Sequence, residues 1–196
     1  MCATNQASDT FEETPLHESE VLSDPDDILD RCAKTPAILH REFELYIKRQ
    51  DISAQLTAAG LIEIRRAYYL IAWALEWNHE SNDLEQRKGP PRLFIPDWYI
   101  PAVARWIINN GRRFYEDAVN QNMQDCFKPP PGYEMVYKYD CMCNERWDLW
   151  KKRLTEFADG AGGDDKVTKR EAKAAVQHME SVVDAWELFR NQITMI

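Results

Sequence analysis

Apolar residues recur every three or four positions along most of this sequence, and that spacing restricts its fold more than any other feature. A repeat of three to four residues is the period of an amphipathic α-helix, whereas a half-buried strand alternates every second residue. The clearest face lies near the C-terminal end: Trp147, Trp150, Leu154 and Phe157. The sequence therefore predicts an all-α fold, an irregular bundle of five to six helices with two long proline-containing loops.

The clearest helix in the sequence is predicted over residues 53–79, and its stretch from residue 68 to 75 is apolar on every side. A helix without a polar face must be buried all round, so we expect this one at the centre of the bundle. Asp97 is expected to cap the following helix, and Asp164 and Asp165 precede the last one. That last helix carries a predicted core stripe: Val176, Met179, Val183 and Trp186.

The N-terminal segment differs in composition from the rest of the chain. Residues 1–30 contain nine acidic residues and no Lys or Arg, and they account for the whole formal net charge of −9. A length of 196 residues suits about one domain. We therefore predict a disordered acidic arm over residues 1–22 and a single helical domain over residues 23–196. Prolines interrupt the domain at residues 90–91 and 129–131, within the two predicted loops.

The charge balance argues against nucleic-acid binding, because phosphate neutralisation requires a net basic surface. A basic face would need five arginines together: Arg65, Arg66, Arg105, Arg112 and Arg113. Their apolar neighbours suggest instead that several of them pair with acids at the edge of the core. The sequence contains no apolar run of about 18 residues, so a membrane partner is not expected either.

The five cysteines indicate a reducing compartment. Their number is odd and no secretory signal precedes them, so we expect free thiols and an intracellular location, cytoplasmic or nuclear. Cys126, Cys141 and Cys143 would supply three thiolates, but a structural zinc site takes four ligands. No fourth ligand lies nearby in the sequence. The sequence alone leaves open whether these three bind a metal, and no metal site is predicted.

Seven tryptophans provide both core and possible pocket. We expect Trp73, Trp106, Trp150 and Trp186 in the core, whereas Trp77, Trp98 and Trp147 lie near predicted helix ends and suit a partly exposed rim. A pocket between helices would be formed by Trp77, His79, Trp98, Tyr99, Trp147, Arg65 and Glu76. The sequence contains no phosphate-binding, dinucleotide or nucleophile motif, so no catalytic residue and no cofactor are predicted.

The C-terminal quarter resembles a family of uncharacterised fungal helical proteins, the domain of unknown function 3632. The residues that carry the resemblance are a Trp-rich helix from Trp147 to Ala158 and, after a short loop, spaced alanines ending at Met179 and Glu180. It covers about residues 145–186. The resemblance implies an all-helical, fungal, intracellular protein and provides no catalytic residues.

Two functions remain open. The acidic arm, the triple-proline loop and the lack of converging polar residues favour a protein-interaction or regulatory module with an unidentified protein partner. The alternative is a small-molecule-binding protein or an enzyme, with its pocket lined by Trp and Tyr. A deep apolar pocket with converging polar groups would favour the alternative. The sequence does not fix the oligomeric state.

Overall fold

The computed structural model describes residues 36–76, 95–123, 126–127, 140–161 and 165–193. Within these ranges the chain forms five helices and no strand. They are α1 (Pro36–Ala58), α2 (Arg65–Leu75), α3 (Pro96–Val119), α4 (Asn144–Ala158) and α5 (Lys166–Ile193). The all-α prediction is confirmed. The predicted arm over residues 1–22 and the prolines at 90–91 and 129–131 lie outside the described ranges.

Residues 53–79 do not form one helix, so that prediction was wrong. Gly60 adopts a φ of +76°, the left-handed conformation that ends many helices. The amide of Gly60 donates to the Thr57 carbonyl at 2.9 Å, and the amide of Leu61 donates to the Leu56 carbonyl at 2.9 Å. This pair of bonds is a Schellman motif, which closes α1 at Ala58. Apolar residues on both sides of Gly60 hid the break from a periodicity argument.

Helix α3 is the centre of the bundle, and it packs against each of the other four helices. Its first turn contains Pro96 and Asp97, and Ile95 is its N-cap, so the prediction that Asp97 caps this helix was wrong. The Asp97 carboxylate instead accepts a hydrogen bond from the Thr168 hydroxyl at 2.9 Å, which connects the start of α3 to the start of α5. Helix α2, expected at the centre, is largely buried but packs to one side of α3.

Polar contacts hold α1 and α3 in register. The Trp106 indole N–H donates to Oε1 of Gln50 at 2.8 Å, and the side-chain amide of Asn110 donates to the Ala54 carbonyl at 2.9 Å. Trp98 lies beside Phe43, near the N-terminal end of α1, with a ring separation of 5.8 Å. Residue numbers rise together along both helices, so α1 and α3 run parallel.

Helix α5 runs parallel to α3 on its other side. At their contact, Gly111 leaves room for the His178 ring, because a Cβ added there would lie 2.9 Å from Cδ2 and 3.0 Å from Nε2 of His178. A side chain at position 111 would require that ring to move. Helices α1, α3 and α5 therefore run in one direction, and α2 and α4 run in the opposite direction. Helices α2 and α4 place the polar groups described below at the flank of α3.

Candidate functional site

A half-open groove of about 340 Å³ lies between α4 and α5, with one side chain of α3 in its wall. We name it the α4–α5 groove. Its walls include Tyr115 from α3, Trp147, Asp148 and Lys151 from α4, and Val183 and Asp184 from α5. This volume is at the low end of the about 300–1,000 Å³ typical of small-molecule sites. The groove is therefore large enough for one long side chain or a small ligand.

Aromatic rings form the inner wall of the groove. The rings of Tyr115 and Trp147 are 5.3 Å apart and tilted, and Trp186 meets Tyr115 edge-on at 6.1 Å. Burial raises the pKa of the Tyr115 hydroxyl, and the nearby carboxylates of Glu187 and Asp148 raise it further. The Trp147 indole N–H is buried, and it donates no hydrogen bond within the described ranges.

The outer edge of the groove carries mostly negative charge. Lys151 lies 3.6 Å from Glu180, so these two opposite charges form a surface pair. Asp148 and Asp184 line the groove from α4 and α5. The positive charge of Arg190 also acts on the Tyr115 hydroxyl and lowers its pKa, against the effect of the nearby carboxylates. The surroundings of the groove therefore carry charges of both signs beside the half-buried Tyr115 ring.

A second polar cluster is completely buried beneath the surface. The Arg146 side chain donates from Nε to Glu76 Oε1 at 2.8 Å, and both side chains are 0 % exposed. The Trp150 indole N–H donates to the same Glu76 oxygen at 2.6 Å. Arg146 also donates to the Cys141 carbonyl and stacks 3.7 Å above the centre of the Phe127 ring. The cluster joins the C-terminal end of α2 to the N-terminal turn of α4.

Opposing influences act on the Glu76 carboxyl. Burial raises its pKa, whereas Arg146 and the Trp150 N–H stabilise the carboxylate and act against that rise. Its second oxygen, Oε2, is buried and accepts no hydrogen bond from the part of the chain that the structure describes. The surrounding donors converge on Oε1 and leave no solvent path, so the cluster holds two helices together rather than facing a ligand.

The third feature is an exposed apolar surface at the C-terminal end of α1. We name it the α1 patch and define it as Ile52, Leu56, Leu61 and Ile62, whose exposed fractions are 57 %, 38 %, 71 % and 41 %. Ile52 and Leu56 are one helical turn apart on the same face. The Schellman motif brings Leu61 back to Leu56. Ile62 follows Leu61 directly, so the four exposed side chains lie within eleven residues around the C-terminal end of α1.

The structure separates most of the residues proposed from the sequence for a pocket. Trp147 lines the α4–α5 groove, and Glu76 belongs to the buried cluster. Tyr99 packs against Trp73 at 4.2 Å, and Arg65 is exposed at the start of α2. Trp98 is buried against α1. Trp77 and His79 lie outside the described residues.

The expected division of the tryptophans is partly wrong. Trp73, Trp106 and Trp150 are buried as predicted, whereas Trp186 is only half-buried. Trp98 and Trp147 were expected on a partly exposed rim, but they are 7 % and 1 % exposed. A position near a helix end does not determine exposure here, because neighbouring helices extend past both residues and cover them.

Two of the five arginines pair with acids, as the sequence analysis expected for several of them. Arg105 pairs with the buried Glu171 at 2.9 Å, and Arg112 pairs with Glu116 at 2.9 Å. Cys126 and Cys141 have free thiols. Across the described ranges, no group of three or more His, Cys, Asp or Glu residues could hold a metal ion. None of the helices in these ranges has the length and apolar character needed to span a membrane.

The sequence analysis missed both the groove acids and the buried ion pair. Asp148 and Asp184 resemble ordinary solvated helix residues, and only the packing of α4 on α5 brings them to one groove. Arg146 directly precedes Trp147, the first residue of the apolar face of α4. That position is the one feature of the sequence that could have indicated a buried arginine. Its partner Glu76 lies 70 residues earlier in the chain. No spacing rule connects two such residues.

Comparison with known proteins identifies the family. A family model described as a protein of unknown function, DUF3632, matches residues 4–154. The resemblance predicted from the sequence is thus confirmed, although the match shares only residues 145–154 with the segment on which it was based. A fungal origin stays a prediction. No curated protein and no solved structure gives a significant match. Because the family model covers more than half of its length, this chain belongs to the DUF3632 family.

Proposed function

We propose that this protein is an intracellular interaction or regulatory module that binds another polypeptide. The observation that carries the proposal is the α1 patch. Each large apolar side chain left in water forfeits on the order of 1 kcal/mol of the free energy that its burial would provide. Clustered exposed apolar side chains are typical of protein-binding surfaces, whereas isolated ones are common everywhere.

The use of the interior polar groups supports the same proposal. Glu76 and Arg146 satisfy each other at zero exposure, and Gln50 accepts the indole N–H of Trp106. Groups occupied in this way stabilise the fold and are not available to a substrate. The free thiols of Cys126 and Cys141 support the intracellular location, because reducing compartments keep thiols reduced.

The alternative is a small-molecule-binding protein or an enzyme, and one observation favours it. Trp147 and Tyr115 line the α4–α5 groove, so an aromatic pocket between helices does exist. The other described members of the predicted pocket do not line this groove. The groove itself is small and half-open. We therefore place the alternative second.

Site-specific photo-crosslinking tests the proposal. A photoreactive amino acid is introduced at position 61 and, as the control, at the exposed position 173 on α5. Crosslinking is carried out in the cells that naturally produce the protein, and the captured polypeptide is identified by mass spectrometry. We expect a discrete crosslinked product from position 61 and none from position 173. Equal products from both positions, or none from either, would contradict the proposal.

Binding with purified components then tests whether the contact is specific. The partner identified by crosslinking is titrated against the wild type, Leu61→Asp, Ile52→Asp and the control Lys173→Asp. Because both apolar positions are exposed, the Asp variants should fold normally, which circular dichroism checks. We expect about tenfold weaker binding for each α1-patch variant, a loss of about 1.4 kcal/mol, and unchanged binding for the control. Unchanged binding of all variants would contradict the assignment of the patch.

A further inference from the structure

We propose that residues 11–22 of this chain bind the α1 patch of the same molecule when no partner occupies it. The inference rests on the proposed function, because it names what covers the patch and what a partner must displace. The patch consists of apolar side chains exposed to water, so covering them with a matching segment is favourable. Charge, composition and chain length together point to residues 11–22 as that segment.

The first argument is the charge around the α1 patch. Lys48 and Arg49 are exposed on α1, four and three residues before Ile52, so they lie on the face that carries it. Arg65 and Arg66 are exposed in the first turn of α2, shortly after the patch in the chain. Basic residues therefore border the patch on both sides along the chain.

Two acids and one helix end complete the charges of this region. Asp51 accepts hydrogen bonds from Gln55 and Asn109, and Glu63 is exposed. The four bases outnumber these two acids between residues 48 and 66. The first turn of α2 contains no acid, so no acid of that helix offsets the positive end of its dipole. The region therefore attracts an acidic segment that also brings apolar side chains.

The second argument is the composition of residues 11–22. Four of these twelve residues are large and apolar, four are acidic, and none is Lys or Arg. The apolar ones are Phe11, Leu16, Val21 and Leu22, and the acidic ones are Glu12, Glu13, Glu18 and Glu20. The α1 patch offers four apolar side chains with four bases beside them. Apolar burial would stabilise the contact, and the complementary charges would give it specificity.

The third argument is chain length. Helix α1 begins at Pro36 and ends at Ala58. At about 1.5 Å per residue, Ile52 lies about 24 Å from the start of α1, and the helix ends after about 33 Å. The chain from Leu22 to Pro36 spans up to about 46 Å when it is extended. Residues 11–22 can therefore reach the α1 patch of their own chain.

Photo-crosslinking of the purified full chain, with no partner present, tests the proposal. A photoreactive amino acid is placed at position 61, and position 173 on α5 is the exposed control. Equal amounts of isotopically labelled and unlabelled protein are mixed before irradiation. Trypsin then releases residues 1–31 as one peptide, because Arg31 is the first Lys or Arg in the sequence. Fragmentation of that peptide in the mass spectrometer locates the crosslink within it.

We expect position 61 to crosslink to residues 11–22 of the same molecule, with both joined peptides carrying the same label. Position 173 should give no such product. Three results would overturn the inference. These are no product between position 61 and residues 11–22, equal products from both positions, or mixed labels as often as matched ones, which would place the segment on a second copy.

Variants of the segment test the contribution of charge without changing any residue of the described helices. One variant combines Glu12→Gln, Glu13→Gln, Glu18→Gln and Glu20→Gln, and the control combines Asp24→Asn, Asp26→Asn, Asp27→Asn and Asp30→Asn. Because exposed ion pairs contribute modestly, the first variant should lower the crosslink yield from position 61 about two- to fivefold, and the control should leave it unchanged. Raising the ionic strength from about 0.01 M to about 1 M should lower the wild-type yield as well. Yields unaffected by either change would overturn the charge match.

This inference and the proposed function fail separately. If the purified protein gives no product with residues 11–22 but position 61 captures a discrete partner in cells, the inference is removed and the proposed function stands. The opposite pair of results would keep the contact and remove the proposed function. Where both contacts form, the Glu→Gln variant should bind the partner about two- to fivefold more tightly, because its patch is less often occupied. Unchanged affinity would contradict competition for one site.

Discussion

The buried pair of Glu76 and Arg146 allows a quantitative test of the packing of α2 against α4. Arg146→Met removes the cation and leaves the Glu76 carboxylate at zero exposure with a single remaining donor, the Trp150 N–H. An uncompensated buried charge of this kind costs about 3–5 kcal/mol. Glu76→Met strands the Arg146 guanidinium in the same surroundings, so its expected cost is similar.

The double variant distinguishes charge pairing from simple loss of packing. With both residues replaced by Met, this pair of buried charges is gone, and the Trp150 N–H and the Cys141 carbonyl lose the partners that they have here. We expect this change to cost about 1–3 kcal/mol, less than either single change. The assay is urea unfolding followed by tryptophan fluorescence at neutral pH. Arg112→Met is the matched control, because its pair with Glu116 is exposed and should contribute under about 1 kcal/mol.

Two results would refute this reasoning. If Arg146→Met costs no more than Arg112→Met, the buried pair does not stabilise α2 against α4. If the single losses simply add in the double variant, the two residues act independently. Should Arg146→Met fail to fold, Arg146→Lys keeps the charge and weakens the stacking over Phe127, and an intermediate loss of stability is then expected.

Further predictions concern the contacts of α3. Burial lowers the pKa of His178 from its ordinary 6.5, so the unfolded chain binds more protons than the folded chain just below that pH. The free energy of unfolding should therefore fall as the pH drops through 6.5, and it should fall less in His178→Gln. Urea titrations at a series of pH values measure both. Gly111→Ala places a Cβ against the His178 ring and should push it towards solvent; proton titration of the ring by nuclear magnetic resonance should show its pKa returning towards 6.5, and an unchanged value would contradict the contact. Trp106→Phe leaves the Gln50 oxygen buried without its donor and should lower the free energy of unfolding by about 1–3 kcal/mol in urea, whereas a loss below about 0.5 kcal/mol would contradict that hydrogen bond.

Local features of the fold could be predicted from the sequence. The face of α4 is confirmed, since Trp147, Trp150 and Leu154 are buried. Asp165, predicted near the start of the last helix, accepts a hydrogen bond from the Thr168 amide at 2.7 Å, as an N-cap does. These features depend on residues only a few positions apart. Periodicity and capping act over such distances, and the sequence displays them directly.

Features that depend on distant residues were missed or wrong. The centre of the bundle was expected near residues 68–75 because that stretch is wholly apolar, yet α3 is the helix that contacts all the others. At its contact with α5, Gly111 leaves room for the His178 ring, and the periodicity of the sequence gives no sign of that role. The groove likewise needs α4 and α5 to pack before Asp148 and Asp184 meet. Such pairings depend on tertiary contacts, for which a single sequence has no local signal.

Native mass spectrometry of the protein purified from its own cells under gentle conditions tests the proposed function most directly. The wild type and Leu61→Asp are compared, with Lys173→Asp as the control. We predict that the wild type and the control retain a second polypeptide chain, that Leu61→Asp loses it, and that no small molecule accompanies any of them. A bare monomer, a retained small molecule in place of a polypeptide, or a complex that Leu61→Asp leaves intact would contradict a partner-binding surface at the end of α1.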